Sequence, residues 1–271
     1  MAVDHYENFP VASVILPARF RRPVALIYRF AREADDFADE GNAPAEVRLA
    51  QLAAFGEQLA RLEHGQPPEL AWFSELGEVI RTHGLPYQLF HDLLSAFSQD
   101  VVKTRYADYP ELLDYCRRSA DPVGRLLLTL YGKTGGEALR WSDAICSSLQ
   151  IINFLQDVAV DYRKHRIYLP QEDLDRFGVT EEDIGRGAAG ARWQALMAFE
   201  IERARSLLFS GAPLGRALAG RLGLELRMIV AGGSRILDKI AHVRGDVFRR
   251  RPVLKAHDWP LMLVHALALG R

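Results

Sequence analysis

Apolar residues along the chain recur at steps of three and four, and the alternating Val/Ile/Thr-rich segments that mark strands are missing. The pattern predicts an all-α protein of roughly ten helices. Pro17 and Pro23 bracket a turn ahead of a helix over residues 24–39, and glycine- or proline-bearing breaks separate further helices over 46–64, 70–83, 86–99, 110–118 and 123–131. Helices over 142–164, 193–209, 218–243 and 260–269 complete the set, with 178–190 expected as a glycine-rich irregular linker. No repeat or composition shift divides the sequence, so residues 1–271 are read as a single helical domain.

Two of these helices carry polar stripes. In residues 149–162, LQIINFLQDVAVDY, Gln150, Asn153, Asp157 and Asp161 follow at steps of three, four and four and share one face. Leu149, Ile151, Ile152, Phe154, Leu155, Val158 and Ala159 flank that face, so the stripe is expected to point inward. Residues 24–39, VALIYRFAREADDFAD, repeat the arrangement with Tyr28, Arg32, Asp35, Asp36 and Asp39 between Ile27, Phe30, Ala31, Ala34, Phe37 and Ala38. On its own this second stripe reads equally well as a solvated acidic helix end. Aspartates in a last helical turn oppose the macrodipole by about 0.3–1 kcal/mol each, and desolvated carboxylates need cationic partners. Two inward pairs, Asp35/Asp39 and Asp157/Asp161, meet that need by sharing bound cations.

Composition narrows the setting. With 49% hydrophobic and 25% charged residues over 271 positions, the chain is an ordinary globular protein with enough apolar material for one large core. A formal net charge of -1 supplies no field to recruit nucleic acid, and the local run Arg249, Arg250, Arg251 does not alter that. Cys116 and Cys146 suit packed thiols in a reducing compartment. The polar start, residues 1–8, does not read as a signal peptide, and no run approaches the ~20 apolar residues of a membrane span. A cytoplasmic protein is expected, with transient contact at the inner membrane face left open for the segment from Trp259. Trp72, Trp141, Trp193 and Trp259 are expected to pack in the ordinary way.

Ligand chemistry selects the cation. Aspartate oxygens without histidine or cysteine favour a hard ion, so Mg2+ is expected, with Mn2+ able to substitute; Mg2+ typically takes one or two carboxylates plus substrate phosphate oxygens. A diphosphate substrate follows, with Arg32, Arg163, Lys164 and Arg166 available to neutralise departing pyrophosphate. An apolar substrate losing diphosphate becomes a carbocation, which desolvated aromatic faces stabilise by about 2 kcal/mol. Phe9, Tyr28, Phe30, Tyr115 and Phe154 are the candidate rings, and each also fits core packing.

Asp35-Asp36-Phe37-Ala38-Asp39, together with Asn153-Phe-Leu-Gln-Asp157-Val-Ala-Val-Asp161 and Arg166-Ile-Tyr-Leu-Pro170, resembles the squalene/phytoene synthase family, and the likeness runs from His5 to about Arg251. The resemblance implies an all-helical terpenoid-synthase fold with a central cavity. It also implies head-to-head coupling of prenyl diphosphates, or rearrangement of the cyclopropyl intermediate, with Mg2+ held by Asp35, Asp39, Asp157 and Asp161 and assisted by Asn153. By the same likeness Arg32 matches the arginine preceding the first aspartate motif, Gln150 a polar residue of the second, and Tyr115 the tyrosine of a Tyr-Cys signature helix. His5 matches a position that lines the diphosphate end.

Three departures sharpen the likeness. The usual Ser-Phe motif is replaced by Asn8-Phe9; a valine-alanine-glycine stretch is replaced by Arg117-Arg-Ser-Ala-Asp-Pro-Val-Gly124, which adds Asp121; and a C-terminal tyrosine falls near Gly233 or Ser234. These departures resemble the bacterial hydroxysqualene synthases of hopanoid pathways, which imply conversion of presqualene diphosphate to hydroxysqualene by water capture, without NADPH. Asp121 is expected either to orient that water or to cap the helix starting near Val123. The one G-x-G-x-x-G match, Gly185 to Gly190, follows an acidic helical segment rather than a strand, so no dinucleotide site is expected. Three other products remain open within the family: presqualene diphosphate, squalene and phytoene, each from two prenyl diphosphates. An inert binding or assembly protein of the same fold, serving pathway enzymes, is the non-enzymatic alternative.

Overall fold

The computed structural model describes residues 17–39, 41 and 43–270, and every described element is helical. His5, Asn8 and Phe9 lie outside the described residues. The helices are α1 (Ala18–Asp39), α2 (Ala45–Glu63), α3 (Ala71–His83), α4 (Tyr87–Val102), α5 (Tyr109–Ser119), α6 (Asp121–Leu130) and α7 (Gly136–Arg163). They continue with α8 (Gln171–Phe177), α9 (Glu181–Gly185), α10 (Ala191–Gly211), α11 (Leu214–Ala217), α12 (Gly220–His242) and α13 (Asp258–Ala268). Contacts divide the described chain into two compact units, the first comprising residues 17–104 and 110–147, the second 105–109 and 148–270. Residues 136–147 of α7 belong to the first and its remainder to the second.

In the first unit, α1 packs against α2, α3, α4 and α6. Its apolar face buries Phe20, Val24, Ile27, Phe30, Ala34 and Ala38 at helical spacing. Phe30 is fully buried and meets Phe90 edge-on at 5.1 Å, with Phe55 and Phe73 around it. That corrects its candidacy as a cation-stabilising ring: it contributes about 1.5–3 kcal/mol of core burial instead. The expected turn between Pro17 and Pro23 is also corrected, since α1 begins at Ala18 and runs through Pro23. A proline removes one backbone hydrogen bond from a helix, but here its ring is buried beside Phe20 and Val24, which offsets that loss. At the other end of α1, Arg48 of α2 donates from Nη1 to Ala38 O at 2.8 Å and from Nε to Ala43 O at 3.0 Å. A cation there counters the macrodipole penalty on the three terminal aspartates.

In the second unit, α12 packs against α10, α11 and α13, and α8 against α10. A Cβ on Gly233 would meet Leu149, Leu208 and Ile152 at 3.0–3.3 Å, so this position has no room for the tyrosine expected of relatives, and its neighbour Ser234 instead accepts from Arg205 at 3.2 Å. Trp193 sits in the core and donates its indole N–H to Gly245 O at 2.8 Å, as a buried indole must. The linker expected over 178–190 contains α9, nucleated by a reciprocal capping box between Thr180 and Asp183. Just before that linker the structure adds α8, for which no helix was expected and whose end is marked by Gly178 at φ 62°. No helix of the described residues is long and apolar enough to cross a membrane.

Candidate active site

The first unit gathers acidic groups around α1. Tyr28, Arg32, Asp35, Asp36 and Asp39 are all half-buried. Arg32 lies 2.8 Å from Asp36 and 3.6 Å from Asp35, spanning the two carboxylates along the helix. Desolvation pushes the Asp35 carboxyl up to about 7, the Asp39 charge adds to the rise, Arg32 opposes it, and Asp100 and Asp36 add further. Its side chain retains 35% exposure, so the group is recessed rather than sealed. Asp36 Oδ1 is itself buried and accepts no hydrogen bond of good geometry, despite the nearby guanidinium.

Asp100 was not foreseen in the sequence, because an aspartate in the last turn of α4 reads as a solvated helix end. The structure buries it to 5% exposure and directs the Tyr115 hydroxyl onto it at 2.5 Å. Tyr115 is therefore held by Asp100 rather than free to rotate, which orients its ring from α5.

Asp121 opens α6 from inside the helix. Ala120 is the N-cap and makes no side-chain capping bond, so the capping alternative for Asp121 is corrected. Its carboxylate accepts from Ser147 Oγ of α7 at 2.7 Å and is 4% exposed. Desolvation lifts this carboxyl to about 7 despite the Ser147 hydrogen bond; the Asp143 charge adds to the rise, while Arg125 and Arg117 oppose it. Arg125 is engaged elsewhere, donating to both oxygens of Asp143 at 2.8 and 2.6 Å. Cys116 and Cys146 are free thiols, as expected, and burial pushes both up, Cys146 to about 12, which makes them inert packing groups. A Cβ on Gly124 would fall 2.6 Å from Cys146 Sγ and closer still to Ser142 Oγ, so glycine permits the approach of α6 to α7 that brings Ser147 to Asp121.

The second unit holds the other stripe. Gln150, Asn153 and Asp161 are half-buried and Asp157 is buried. Arg251 grips Asp157 with both a direct Nε contact and an Nη2 bond to Oδ2 at 3.0 Å, and it reaches Asn153 Oδ1 at 3.3 Å. Gln156, also buried, donates to Pro252 O at 2.7 Å and so holds this segment against α7. The chain turns sharply after Asp161, whose carbonyl accepts from the Lys164 and Arg166 amides at 2.9 Å each, with His165 at φ 61°. Arg105 braces the turn through His165 O at 2.7 Å and a bidentate pair with Glu181 at 2.7 and 2.6 Å. Arg166 is buried while Arg163 and Lys164 are exposed. Phe154 stacks on Tyr168 with centroids 3.8 Å apart and planes at 5°, so one of its faces is already occupied.

The donor set suits Mg2+. Its oxygens are hard, Asp36 Oδ1 is buried without a hydrogen bond, and burial together with like charge raises Asp35, all of which a divalent cation would relieve. No cluster of three or more His, Cys, Asp or Glu side chains placed to hold a metal unaided occurs among the described residues. An ion there would complete its shell with water and phosphate oxygens, the usual habit of Mg2+.

Residues 2–258 match the family profile described as squalene/phytoene synthase. The chain belongs to the squalene/phytoene synthase family. Among members of that family, the hydroxysqualene synthase of Rhodopseudomonas palustris is 39% identical over 236 residues, covering 85% of this chain and 78% of that one. The hydroxysqualene synthase of Zymomonas mobilis is 37% identical, covering 82% and 75%, and the 15-cis-phytoene synthase of Synechococcus elongatus is 30% identical, covering 97% and 90%. The crystal structure of the squalene synthase HpnC from Alicyclobacillus acidocaldarius superposes with a TM-score of 0.81 at 37% identity, covering 89% of this chain and 90% of that one. A ligand-bound dehydrosqualene synthase, at 23% identity and TM-score 0.80, shares the fold. As a squalene/phytoene synthase family member the chain is an enzyme of isoprenoid biosynthesis, and the expected all-α architecture is the one observed.

Proposed function

We propose that this enzyme converts presqualene diphosphate to hydroxysqualene, with water supplying the hydroxyl oxygen. Asp121 is the observation that carries the reading, a buried carboxyl held by Ser147 and pushed up to about 7. A group poised near neutrality can accept a proton from an attacking water. The similarity to two hydroxysqualene synthases at 37–39% identity points the same way.

In this reading the C–O bond to diphosphate breaks heterolytically and the leaving group departs with the electron pair. Arg32 in the first unit, and Arg166 in the second, are the candidate partners of diphosphate oxygens, and the exposed Arg163 and Lys164 add positive charge at the chain turn after Asp161. Each aspartate pair, Asp35/Asp39 and Asp157/Asp161 with Asn153, would hold Mg2+, which supplies charge neutralisation to the departing diphosphate. Tyr28, Tyr115 and Phe154 are the rings that would attend the cyclopropylcarbinyl cation as it rearranges. Water then forms the new C–O bond and releases its proton to Asp121. No hydride is consumed, so NADPH has no role.

Incubation of the pure protein and Mg2+ with presqualene diphosphate, and separately with farnesyl diphosphate, tests this directly by mass spectrometry of the products. Hydroxysqualene from the first and no turnover of the second is expected. Turnover of farnesyl diphosphate alone overturns the reading in favour of a condensing synthase. Failure of folded protein on both substrates, and on geranylgeranyl diphosphate, points to an inert family member.

A further inference from the structure

Nine large hydrophobic side chains stand exposed among the described residues, and five of them, Trp259, Leu261, Leu263, Val264 and Leu267, belong to the single short helix α13. This contradicts the ordinary packing expected for Trp259, which is 43% exposed. Of its apolar side chains, Met262 and Ala266, spaced by four, are buried and pack with Ala231 and, behind it, Leu224, Met228 and Leu254. Apart from the half-buried His265 the rest of the helix surface is apolar, and residues 259–268 contain no carboxylate, lysine or arginine. A contiguous exposed patch of this kind marks an interaction site rather than ordinary surface.

The patch is rigidly presented. Asp258 is fully buried and accepts from Arg235 Nε at 2.8 Å, Lys239 Nζ at 2.5 Å and the Lys255 amide at 2.7 Å. Burial pushes this carboxyl up, but the three donors outweigh it and hold the group well below the usual carboxylate range. The one acid of the helix is thereby internalised and neutralised. What remains at its ends is basic: exposed Lys255 and His257 precede it, and exposed Arg216 donates to Leu269 O at 2.7 Å where it finishes.

We propose that α13 docks flat onto an anionic lipid surface, its apolar face entering the acyl boundary and the flanking cations meeting lipid phosphates. An eleven-residue helix spans roughly 16 Å, about half a hydrocarbon core, so it lies in the interface rather than crossing it. Trp259 at its start occupies the depth where membrane-interface indoles settle. Cations at both ends, with the only acid withdrawn, favour an anionic bilayer over a second copy of the chain, whose facing patch would carry the same positive rim. The surface stands apart from the choice of product, and it gives that chemistry a use, because a prenyl substrate and a long-chain isoprenoid product both partition into lipid.

Flotation of the full chain with phosphatidylcholine vesicles, with and without phosphatidylglycerol, tests the proposal without any turnover measurement. Binding is expected to the anionic vesicles, weakening with added salt, together with quenching of tryptophan fluorescence by brominated lipid that Trp259→Phe removes. Leu261→Asp combined with Val264→Asp is expected to lower partitioning by about tenfold or more, and Lys255→Gln to lower it selectively for anionic vesicles. Both leucine and valine positions are more than half exposed, so an unchanged circular dichroism spectrum is expected for that variant. Wild-type protein that stays unbound, or binding that the double variant leaves intact, overturns the proposal. So does a concentration-dependent dimer by light scattering that the double variant abolishes while wild-type protein ignores vesicles.

Discussion

Asp121→Asn separates the cost of a buried carboxylate from its chemical use. The folded protein raises this group from 3.8 to about 7, so the native state holds its proton more tightly than the unfolded chain does. For an acid shifted upward, stability falls as pH rises from the unfolded value to the folded one, because over that window the unfolded chain has released a proton that the native state keeps. At ~1.36 kcal/mol for each tenfold change in proton affinity, ionising Asp121 costs on the order of 4 kcal/mol over the whole window. Of that, about 2–3 kcal/mol is lost between pH 5 and pH 8. Asparagine is isosteric, can still accept from Ser147 through Oδ1, and carries no such penalty. Urea unfolding of wild type and variant at pH 5, 6, 7 and 8 is therefore expected to show the variant gaining about 2–3 kcal/mol relative to wild type across the series. Asp35 and Glu200, each also pushed up to about 7 with burial as the first cause, titrate in the same window, but they are common to both proteins and cancel in the difference. Parallel pH profiles for the two proteins would refute the buried-carboxyl reasoning. An unchanged product yield and distribution in the variant would separately remove Asp121 from the water-capture step.

Arg251→Gln leaves Asp157 buried without its bidentate partner and is expected to destabilise the fold by about 3 kcal/mol, measured by urea unfolding; the melting temperature of the variant should then rise more with added Mg2+ than that of wild type. Tyr115→Phe deletes the hydroxyl donor 2.5 Å from buried Asp100 and is expected to cost about 1–3 kcal/mol with a lowered turnover, and a variant as stable as wild type would show that the pair is not structurally significant. Gly124→Ala drives a methyl into Ser142 and Cys146, and a loss of about 1–3 kcal/mol is expected in thermal or urea melts. Glu200→Gln removes a carboxyl that is 1% exposed and paired with Arg203 at 2.7 Å, and it should flatten the pH dependence of stability between pH 5 and 7 without altering the product.

What could be read from the sequence was what repeats locally. The stripes on α1 and α7 declare themselves because 3.6-residue periodicity and flanking apolar positions are properties of consecutive residues, and both proved at least half-buried. Arg251 could not be found that way: it meets Asp157 across 94 positions, and within the run Arg249 to Arg251 nothing distinguishes it from its neighbours. Asp100 failed for the same reason, its partner Tyr115 lying on the next helix. Pro23 and the 178–190 segment failed differently, because local breakers were overridden, in one case by burial of the ring and in the other by a capping box whose Thr180–Asp183 spacing was present but unread. Trp259 shows the limit of treating apolar residues as core, since whether a helix face is covered depends on its neighbours rather than on its own residues.

The aspartate stripes of the two units differ in the cations they already have, and that contrast bears on how each would take the proposed Mg2+. In the second unit each buried acid has cations of its own: Arg251 on Asp157, Arg203 on Asp173 and Glu200, Arg235 and Lys239 on Asp258. In the first unit the Asp35 carboxyl is raised by burial and by three neighbouring aspartates, with Arg32 as the opposing charge, and Asp121 is raised while Arg125 is committed to Asp143. Positive charge is thus in surplus demand around Asp35 and already supplied around Asp157. If the proposed Mg2+ binds, an ion at Asp35 and Asp39 would relieve like-charge repulsion, whereas one at Asp157 would have to displace a guanidinium. The displaced Arg251 guanidinium would then lie beside the same carboxylate, suited to take up a diphosphate oxygen. Binding measured by calorimetry should accordingly weaken far more for Asp35→Asn than for Asp157→Asn in the absence of diphosphate, and the two losses should converge once a diphosphate is present to receive Arg251.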